Sequence, residues 1–371
     1  MVFLGADVHV RNSYLYATDG VGRRLMHGRV ANGMDEMRRF MEMVRKEASL
    51  TDGSMRLVLE STTNSRAVRG LLRQAAQSVG FESVQAEVLD ARKLRIIAES
   101  VCKCDALDAR VLSDLARSNL QLPVCYMPDD EEFALREHLR ARSDLVRMRT
   151  MLKNRIHAIL HRRGILTPTG GLFTKDGLAF LEAAPLDEAG RTIADRYQRL
   201  LKELEERIAE STRDLRSVLR RPRWLKPAVL LQTMPGIGII TALTILAELG
   251  DLKRFKSRAA VANYAGLTPI IRDSNTKHYS GGISHRGSAH LRQVLTEAAW
   301  AAIRQVPRYQ DLFGRVSGRR GKSVAIVAVA RRMLEDSMSM LWKDEAFRYA
   351  PAEEMSGAPR CDRKVASSVA G

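Results

Sequence analysis

Apolar and polar residues follow two different periods in the first part of the chain. Short apolar segments bounded by turn residues predict strands, and Asp19-Gly20 is a favourable hairpin turn between two of them. Longer segments with apolar residues three or four apart predict helices. The predicted elements, in chain order, are strands at Val2–Val8, Ser13–Thr18 and Arg23–Val30, a helix at Met34–Ala48, a strand ending at Glu60, a helix at Ala67–Val79, a strand at Val84–Val88, a helix at Ala91–Glu99 and a helix starting at Asp105. Residues 1–120 are therefore expected to form a mixed α/β domain.

The middle of the chain is predicted to consist of two long helices. The first begins at the acidic residues Asp129–Glu132, which favour a helix N-terminus, and extends to Arg163. The second runs from about Thr192 to Arg220, with apolar residues near coiled-coil spacing. We expect these helices, within residues 128–222, to pair within the chain or between protomers. Their basic faces favour contact with nucleic acid over a merely solvated surface.

The last part of the chain is predicted to be mainly helical. Residues 223–349 are expected to form a C-terminal domain with loop segments around residues 266–287, and residues 350–371 a disordered tail. Gly318–Ser323 invites a nucleotide-binding interpretation, but Val316 stands where a P-loop requires glycine. A basic loop that caps a helix from Val324 is the interpretation that we favour.

The charge balance indicates a polyanionic partner. Sixty Lys and Arg against 43 Asp and Glu give the 371 residues a formal net charge of +17, which makes nucleic acid the default partner of the chain. No apolar run reaches the roughly 18 residues of a membrane span, and the N-terminus lacks a signal-peptide pattern, so a cytoplasmic location is expected. The four cysteines lack the spacing of a zinc site and are expected to be free thiols.

Four acidic residues occupy positions that favour a shared metal site. Asp7 lies in the first predicted strand and Glu60 ends the fourth, while Asp105 and Asp108 are three apart and share a helix face. Four converging carboxylates would repel one another, and two Mg²⁺ ions would relieve that repulsion and support phosphodiester chemistry. With the order of strands and helices, this arrangement predicts an RNase H-like (RuvC-like) fold for the first domain.

A helix-hairpin-helix pattern is predicted at Met234–Gly238, between two apolar segments. Gly236 and Gly238 would permit a tight turn, and the free backbone N–H groups of the next helix would be able to hold a phosphate without reading sequence. A turn that serves only to pack two helices is an equally good interpretation.

Motifs along nearly the whole chain resemble those of the DEDD insertion-sequence transposases, which are bridge-RNA-guided recombinases with the Piv-type DNA invertases as relatives. The motifs occur in the same order as in that family. They are Gly5–Val8, Leu59–Thr62, Lys103–Arg110, Pro235–Gly238, Ala265–Ser274, Ser280–Gly287, Leu291-Arg292 and Gly321-Lys322.

The resemblance implies a DNA transposase or recombinase with two catalytic parts. In the family the four acids, here Asp7, Glu60, Asp105 and Asp108, bind Mg²⁺, and a serine in the C-terminal transposase domain, here Ser274, is a covalent nucleophile. The implied partners are double-stranded DNA, a structured guide RNA and further protomers in a dimer or tetramer. The side chains expected along the DNA path are Arg272, Lys277, Arg286, Arg292, Arg319, Arg320 and Lys322.

Three positions depart from the pattern of the family, and two other functions remain open. His9 follows the first acid, Cys104 precedes Asp105, and Thr63-Asn64 follows the glutamate motif. None of these removes a metal ligand, although they change the surroundings of the acids. A structure-specific nuclease such as a Holliday-junction resolvase would use the same acids with water as its nucleophile. A non-catalytic nucleic-acid scaffold is the third interpretation, and the four intact acids argue against it.

Overall fold

The computed structural model describes residues 1–48, 53–90, 93, 104–118, 120–274, 277–284 and 287–348. The predicted helix at Ala91–Glu99 and the predicted disordered tail lie outside these residues. The chain divides into two units, Met1–Met127 and Pro128–Gly371. A further boundary near residue 222 stays a prediction.

The first unit is built on a five-stranded mixed sheet. The described elements are β1 (Val2–Val8), β2 (Asn12–Thr18), β3 (Arg24–Ala31), α1 (Met34–Ala48), β4 (Ser54–Glu60), α2 (Ser65–Ser78), β5 (Ser83–Leu89) and α3 (Asp105–Arg117). The strand order is β3-β2-β1-β4-β5. β2 pairs antiparallel with both β1 and β3, and β1 pairs parallel with β4, so the chain reverses twice and then crosses over through α1. The predicted mixed α/β organisation is confirmed, and it is compatible with an RNase H-like fold.

Successive side chains along a strand point to opposite faces of the sheet, and the two faces pack against different helices. Val2, Leu4, Ala6 and Val8 of β1 belong to the core formed with α1 and α2. The opposite face carries α3, which packs against β1, β2 and β4. Gly5 lies beneath α3, and a Cβ atom there would be 2.0 Å from the carbonyl oxygen of Ala109. The absence of a side chain at this position lets the backbone of α3 approach β1 closely.

Two long helices begin the second unit, and they pair with each other within the chain. They are α4 (Asp130–His161) and α6 (Glu188–Val218), and a short helix, α5 (Lys175–Ala183), lies between them in sequence. Asp129 and Asp187 cap α4 and α6 by accepting backbone N–H bonds from Glu132 and Gly190. The sequence analysis missed α5 because Gly177 weakens its helical pattern, yet Thr174 caps it.

The remainder of the second unit is a helical core with one β-hairpin. Its elements are α7 (Pro222–Gln232), α8 (Ile239–Leu249), α9 (Arg258–Tyr264), β6 (Pro269–Ser274), β7 (Lys277–Ile283), α10 (Ala289–Ala302), α11 (Pro307–Arg320) and α12 (Lys322–Lys343), with a 3-10 turn at Leu252–Arg254. The central helix α12 packs against α7, α9, α10 and α11. Over the described residues, every helix is too short or too polar to cross a bilayer.

Two sequence predictions in this region were wrong. Residues 266–287 were expected to be loops, but β6 and β7 pair antiparallel, with Ser274 opposite Lys277. Backbone pairing between the two strands stabilises the hairpin. Polar residues and Gly281-Gly282 interrupt the alternation of apolar and polar residues from which strands are predicted. The basic loop expected before Val324 is also absent from the described chain, because α11 extends to Arg320 and Gly321 alone separates it from α12. Gly321 has a φ of 84°, which turns the chain between the helices.

Candidate metal centre

Asp7 points towards the helix α3 side of the sheet in the first unit. It lies near the end of β1, opposite Tyr14 of β2, which in turn lies opposite Arg29 of β3. This register places the three side chains on the same face of the sheet. Asp7 is 9% exposed, so its carboxylate is largely removed from water.

His9 and Asp105 complete a close group of donor atoms with Asp7. The imidazole Nε2 of His9 lies 3.2 Å from Oδ2 of Asp7 and 3.5 Å from Oδ1 of Asp105. Among the described residues, these three offer ligand atoms that all lie within 4.8 Å of one another. Arg29 donates to the other oxygen of Asp105, Oδ2, at 2.7 Å. The structure therefore brings together two of the four predicted acids, from a strand and a helix that are far apart in sequence.

The electrostatics of Asp7 favour its neutral form when no cation is present. Burial is the largest cause that raises the pKa of its carboxyl group above the ordinary value, and the negative charges of Asp105 and Asp108 raise the pKa further. His9 lowers the pKa by its charge and its hydrogen bond but does not compensate fully. A divalent cation bound at this point would instead favour the ionised form of the Asp7 carboxyl group. Carboxylate oxygens are the ligands that Mg²⁺ prefers.

Glu60 and Asp108 lie on the same side of the sheet as Asp7. Glu60 ends β4 one residue beyond Leu59, which pairs with Ala6, so it lies beside Asp7 in the neighbouring strand. Asp108 is one turn beyond Asp105 on α3, and its charge acts on Asp7. Both side chains are partly exposed. Carboxylates from two strands and one helix thus lie on the same side of the sheet, and carboxylate oxygens fit a hard divalent cation.

Two asparagines hold the backbone at His9, and the sequence analysis did not identify them. The Nδ2 atoms of Asn32 and Asn64 donate to the carbonyl oxygen of His9 at 2.7 and 2.8 Å. Thr62 donates to Oδ1 of Asn64 at 3.1 Å, which orients that amide. The departures from the family pattern at His9 and at Thr63-Asn64 are therefore connected in space. His9 could have been predicted as part of the site from its position two residues after Asp7. The position of Asn32 beside His9, in contrast, depends on the register of the strands.

The predicted nucleophile Ser274 belongs to the second unit, where it ends β6. The backbones of Arg272 and Lys277 lie opposite Tyr279 and Ser274 in the same hairpin. The structure describes the backbones of Arg272, Ser274 and Lys277, and Arg286 lies outside the described residues. The roles of these residues stay predictions.

The predicted phosphate-binding glycines have different surroundings. Gly236 has a φ of 89°, and a Cβ atom there would be 2.4 Å from the carbonyl oxygen of Ala298 on α10. That close approach explains Gly236 by packing. Gly238 precedes α8, is exposed and has no neighbour within 4 Å of a built Cβ atom. Its surroundings leave room for a phosphate at the start of α8.

The remaining predicted cations divide into one internal side chain and three exposed ones. Arg292 donates to the backbone carbonyl oxygens of Ala265 at 3.0 Å and Gly287 at 3.3 Å, and burial lowers its pKa. It therefore holds the start of α10 to the loops on either side of the hairpin. Arg319, Arg320 and Lys322 are exposed around the joint between α11 and α12. These three offer an accessible positive surface.

Two sequence-family models match the chain. A DEDD transposase model of the IS110 type matches residues 4–163, which include all four acids. A model described as the transposase IS116/IS110/IS902 family matches residues 228–313, which include Ser274. Together the two matches cover more than half of the chain.

Similar proteins have transposase and invertase names. The chain is 28% identical over 259 residues to a transposase for the insertion sequence element IS1111A of Coxiella burnetii, covering 66% of this chain and 68% of that protein. It is 28% identical over 260 residues to a probable family 20 transposase of Pseudomonas aeruginosa, covering 66% and 74%. A pilin gene-inverting protein of Moraxella bovis is 31% identical over 123 residues, which are 32% of this chain and 38% of that protein. The two family matches together with these similar proteins show that the chain belongs to the DEDD insertion-sequence transposases.

Proposed function

We propose that this chain cuts and rejoins DNA as a transposase or recombinase. The observation that carries the proposal is the meeting of Asp7, His9 and Asp105 in one group of donor atoms, in which burial first and the neighbouring acids second raise the pKa of Asp7. Such a group favours the binding of a divalent cation. The family match supports a role for that cation in the cutting and rejoining of DNA. The ion is proposed to be Mg²⁺, with two ions shared by Asp7, Glu60, Asp105 and Asp108. When bound, it would stabilise the charges that develop on the phosphate and the leaving oxygen.

The chain is proposed to supply its own nucleophile, Ser274. In the first step the serine Oγ forms a bond to phosphorus while the bond to one DNA oxygen breaks. The serine proton passes to a base, and the released DNA oxygen takes up a proton. In the second step a DNA hydroxyl attacks the phosphoserine, which restores the phosphodiester and the free serine. The number of phosphoester bonds is unchanged, so rejoining needs no nucleotide hydrolysis.

The proposed roles require Ser274 and the acids to act on the same phosphate. Protomers are proposed to assemble on DNA before the reaction. A dimer or tetramer would also hold two duplexes together. The exposed cations Arg319, Arg320 and Lys322 are proposed to contact the DNA backbone, because phosphate contacts position a protein without reading sequence.

A structured guide RNA is the proposed source of sequence specificity. The family resemblance supports it, and the net charge of +17 is favourable for binding RNA as well as DNA. The direct test uses RNA transcribed from the non-coding DNA beside the gene. Recombination of the element ends should require this RNA, and an RNA of the same length and shuffled sequence should not replace it.

The nucleophile is tested by trapping the protein on labelled DNA that carries the element ends. Ser274→Ala should abolish the covalent adduct seen on a denaturing gel. Ser280→Ala is the matched control, because Ser280 lies in the opposite strand of the same hairpin, across from Ile271. Asp105→Asn should abolish cleavage in Mg²⁺. A Ser274→Ala protein that still recombines DNA would overturn the serine role, and one that cleaves without rejoining would indicate a nuclease that uses water.

A further inference from the structure

We infer that His9 is a metal ligand of this chain, and that its imidazole raises the affinity of the site for Mn²⁺-like transition ions more than its affinity for Mg²⁺. The inference rests on the proposed function in assuming that a divalent cation binds at Asp7 and Asp105. It goes beyond that function by adding a nitrogen ligand to four acids and by naming a second class of ion that the site accepts beside Mg²⁺.

The spacing of the three donor atoms supports a shared ion. Neighbouring ligands of an octahedral ion with bonds of about 2.1 Å lie about 3 Å apart. The Nε2 atom of His9 lies 3.2 Å from Oδ2 of Asp7 and 3.5 Å from Oδ1 of Asp105. These two separations exceed that spacing by a few tenths of an ångström, and the ligand atoms of the three residues all lie within 4.8 Å of one another.

The backbone holds His9 in this position independently of the metal. Asn32 and Asn64 both donate to its carbonyl oxygen, and its own N–H donates to the carbonyl oxygen of Asn12 at 3.0 Å. A ligand whose main chain is fixed from three sides loses little freedom when it binds an ion, and such support raises metal affinity. Arg29 occupies Oδ2 of Asp105 and leaves Oδ1 facing His9.

The nitrogen ligand changes the relative affinity of the site for the two ions. Mg²⁺ selects oxygen ligands and keeps much of its water, whereas imidazole suits transition metals. A site with His9 should therefore gain affinity for Mn²⁺ more than for Mg²⁺. The half-exposed ring, with 50% of the side chain accessible, leaves a path for the ion from solvent.

The experiment is pulsed electron paramagnetic resonance of the full chain loaded with substoichiometric Mn²⁺. Coordination by imidazole produces a ¹⁴N modulation that carboxylates cannot produce. We expect this modulation in the wild-type chain and its loss in His9→Asn. That substitution leaves untouched the backbone carbonyl that Asn32 and Asn64 bind. Mn²⁺ affinity should fall at least about tenfold in His9→Asn, as for other losses around metal sites, and Mg²⁺ affinity should change less.

His27→Asn is the matched control. His27 lies on β3 in the same unit, where its Nδ1 is 2.8 Å from the hydroxyl oxygen of Tyr14. This variant should retain both the ¹⁴N modulation and the Mn²⁺ affinity. Circular dichroism melting of the three metal-free proteins checks that each is folded.

Each outcome has a distinct meaning. Mn²⁺ binding without a ¹⁴N modulation, or with one that survives in His9→Asn, overturns the ligand role and leaves the acid site intact. A wild-type chain that binds neither Mn²⁺ nor Mg²⁺ overturns the metal premise of the proposed function as well. Equal loss of affinity for both ions in His9→Asn overturns the selectivity.

Discussion

Asp7 in the first unit and Asp336 in the second are both buried carboxylates, but their neighbours differ. Burial is the largest cause that raises the pKa of each above its ordinary value. Asp336 accepts a hydrogen bond from the hydroxyl of Tyr309 at 3.0 Å and pairs with Nε of Arg332 at 3.2 Å. Asp7 instead faces Asp105, with His9 between them.

The comparison indicates that the sign of the neighbouring charges, rather than burial, distinguishes Asp336 from Asp7, which we propose to bind a cation. The positive charges of Arg308 and Arg258 also lower the pKa of Asp336, although Glu335 raises it, so the protein itself compensates part of the cost of burial. The charges of Asp105 and Asp108 near Asp7 act in the opposite direction, and within the described part of the chain His9 opposes them. A conflict that the protein leaves uncompensated is typical of a site that binds a cation.

Asp336→Ala should cause the largest loss of stability, because it removes the hydrogen bond that the buried Tyr309 hydroxyl donates to Asp336 together with the ion pair to the half-buried Arg332. We expect the free energy of unfolding to fall by about 2–3 kcal/mol, as when a buried network of hydrogen bonds and ion pairs is broken. Urea denaturation followed by circular dichroism measures it. Asp311→Ala, at an exposed position of α11, is the control and should stay within about 0.5 kcal/mol of the wild type. A loss at Asp336 no larger than at Asp311 would contradict the structural role.

Gly5→Ala should cause the next largest loss of stability. The substitution also tests whether the close packing of α3 on β1 holds Asp105 near Asp7. The new Cβ atom would lie 2.0 Å from the carbonyl oxygen of Ala109, so the helix must move away from β1. Overpacking of this kind costs about 1–3 kcal/mol. The displacement should also weaken Mn²⁺ binding, measured by titration.

Gly28→Ala is the matched control for Gly5→Ala. Gly28 also lies within a strand, β3, but a Cβ atom there would have no neighbour within 4 Å. Its stability and metal affinity should remain near those of the wild type. Equal effects at the two glycines would show that strand propensity, and not the approach of α3, causes the loss.

The sequence predicted the acids better than the surroundings that determine their chemistry. Apolar runs located β1 and β4, and a spacing of three predicted that Asp105 and Asp108 share a helix face. Both signals are local in sequence. The contact of Arg29 with Asp105 depends on the register of three strands, which no local pattern specifies. The hairpin of β6 and β7 was missed for a similar reason, since its stability comes from pairing rather than from an apolar pattern.

Asp7→Asn should have the smallest effect on stability, and its sign should be opposite to that of Asp336→Ala. The amide removes the buried charge and its repulsion by Asp105 and Asp108, although it weakens the contact with His9. In EDTA we expect a gain of about 0.5–2 kcal/mol in the free energy of unfolding, the usual range for relief of a local conflict. Mg²⁺ should raise the melting temperature of the wild type but not of this variant.

The pH dependence of that gain tests its cause. Because folding raises the pKa of Asp7, the metal-free folded chain retains a proton that the unfolded chain releases above the ordinary value of 3.8. The stability contributed by Asp7 therefore falls as pH rises from 3.8 through the raised pKa and is constant above it. The gain in the free energy of unfolding of Asp7→Asn over the wild type should vanish below pH 3.8. It should grow as pH rises to the raised pKa of Asp7 and stay constant above it.

Asp19 provides the control of opposite sign in the same unit. Its slight burial acts to raise the pKa, but hydrogen bonds from the backbone N–H groups of Arg23 and Val21 lower it overall. The stability contributed by Asp19 is present above 3.8 and is lost as pH falls through the lowered pKa, so Asp19→Asn should be harmful at neutral pH and neutral in acid. If urea midpoints in EDTA gave both variants the same pH trend, the charge conflict at Asp7 would not be the source of its gain. The pH data would then no longer support the distinction between Asp336, whose charge the protein partly compensates, and Asp7, which we propose to bind a cation.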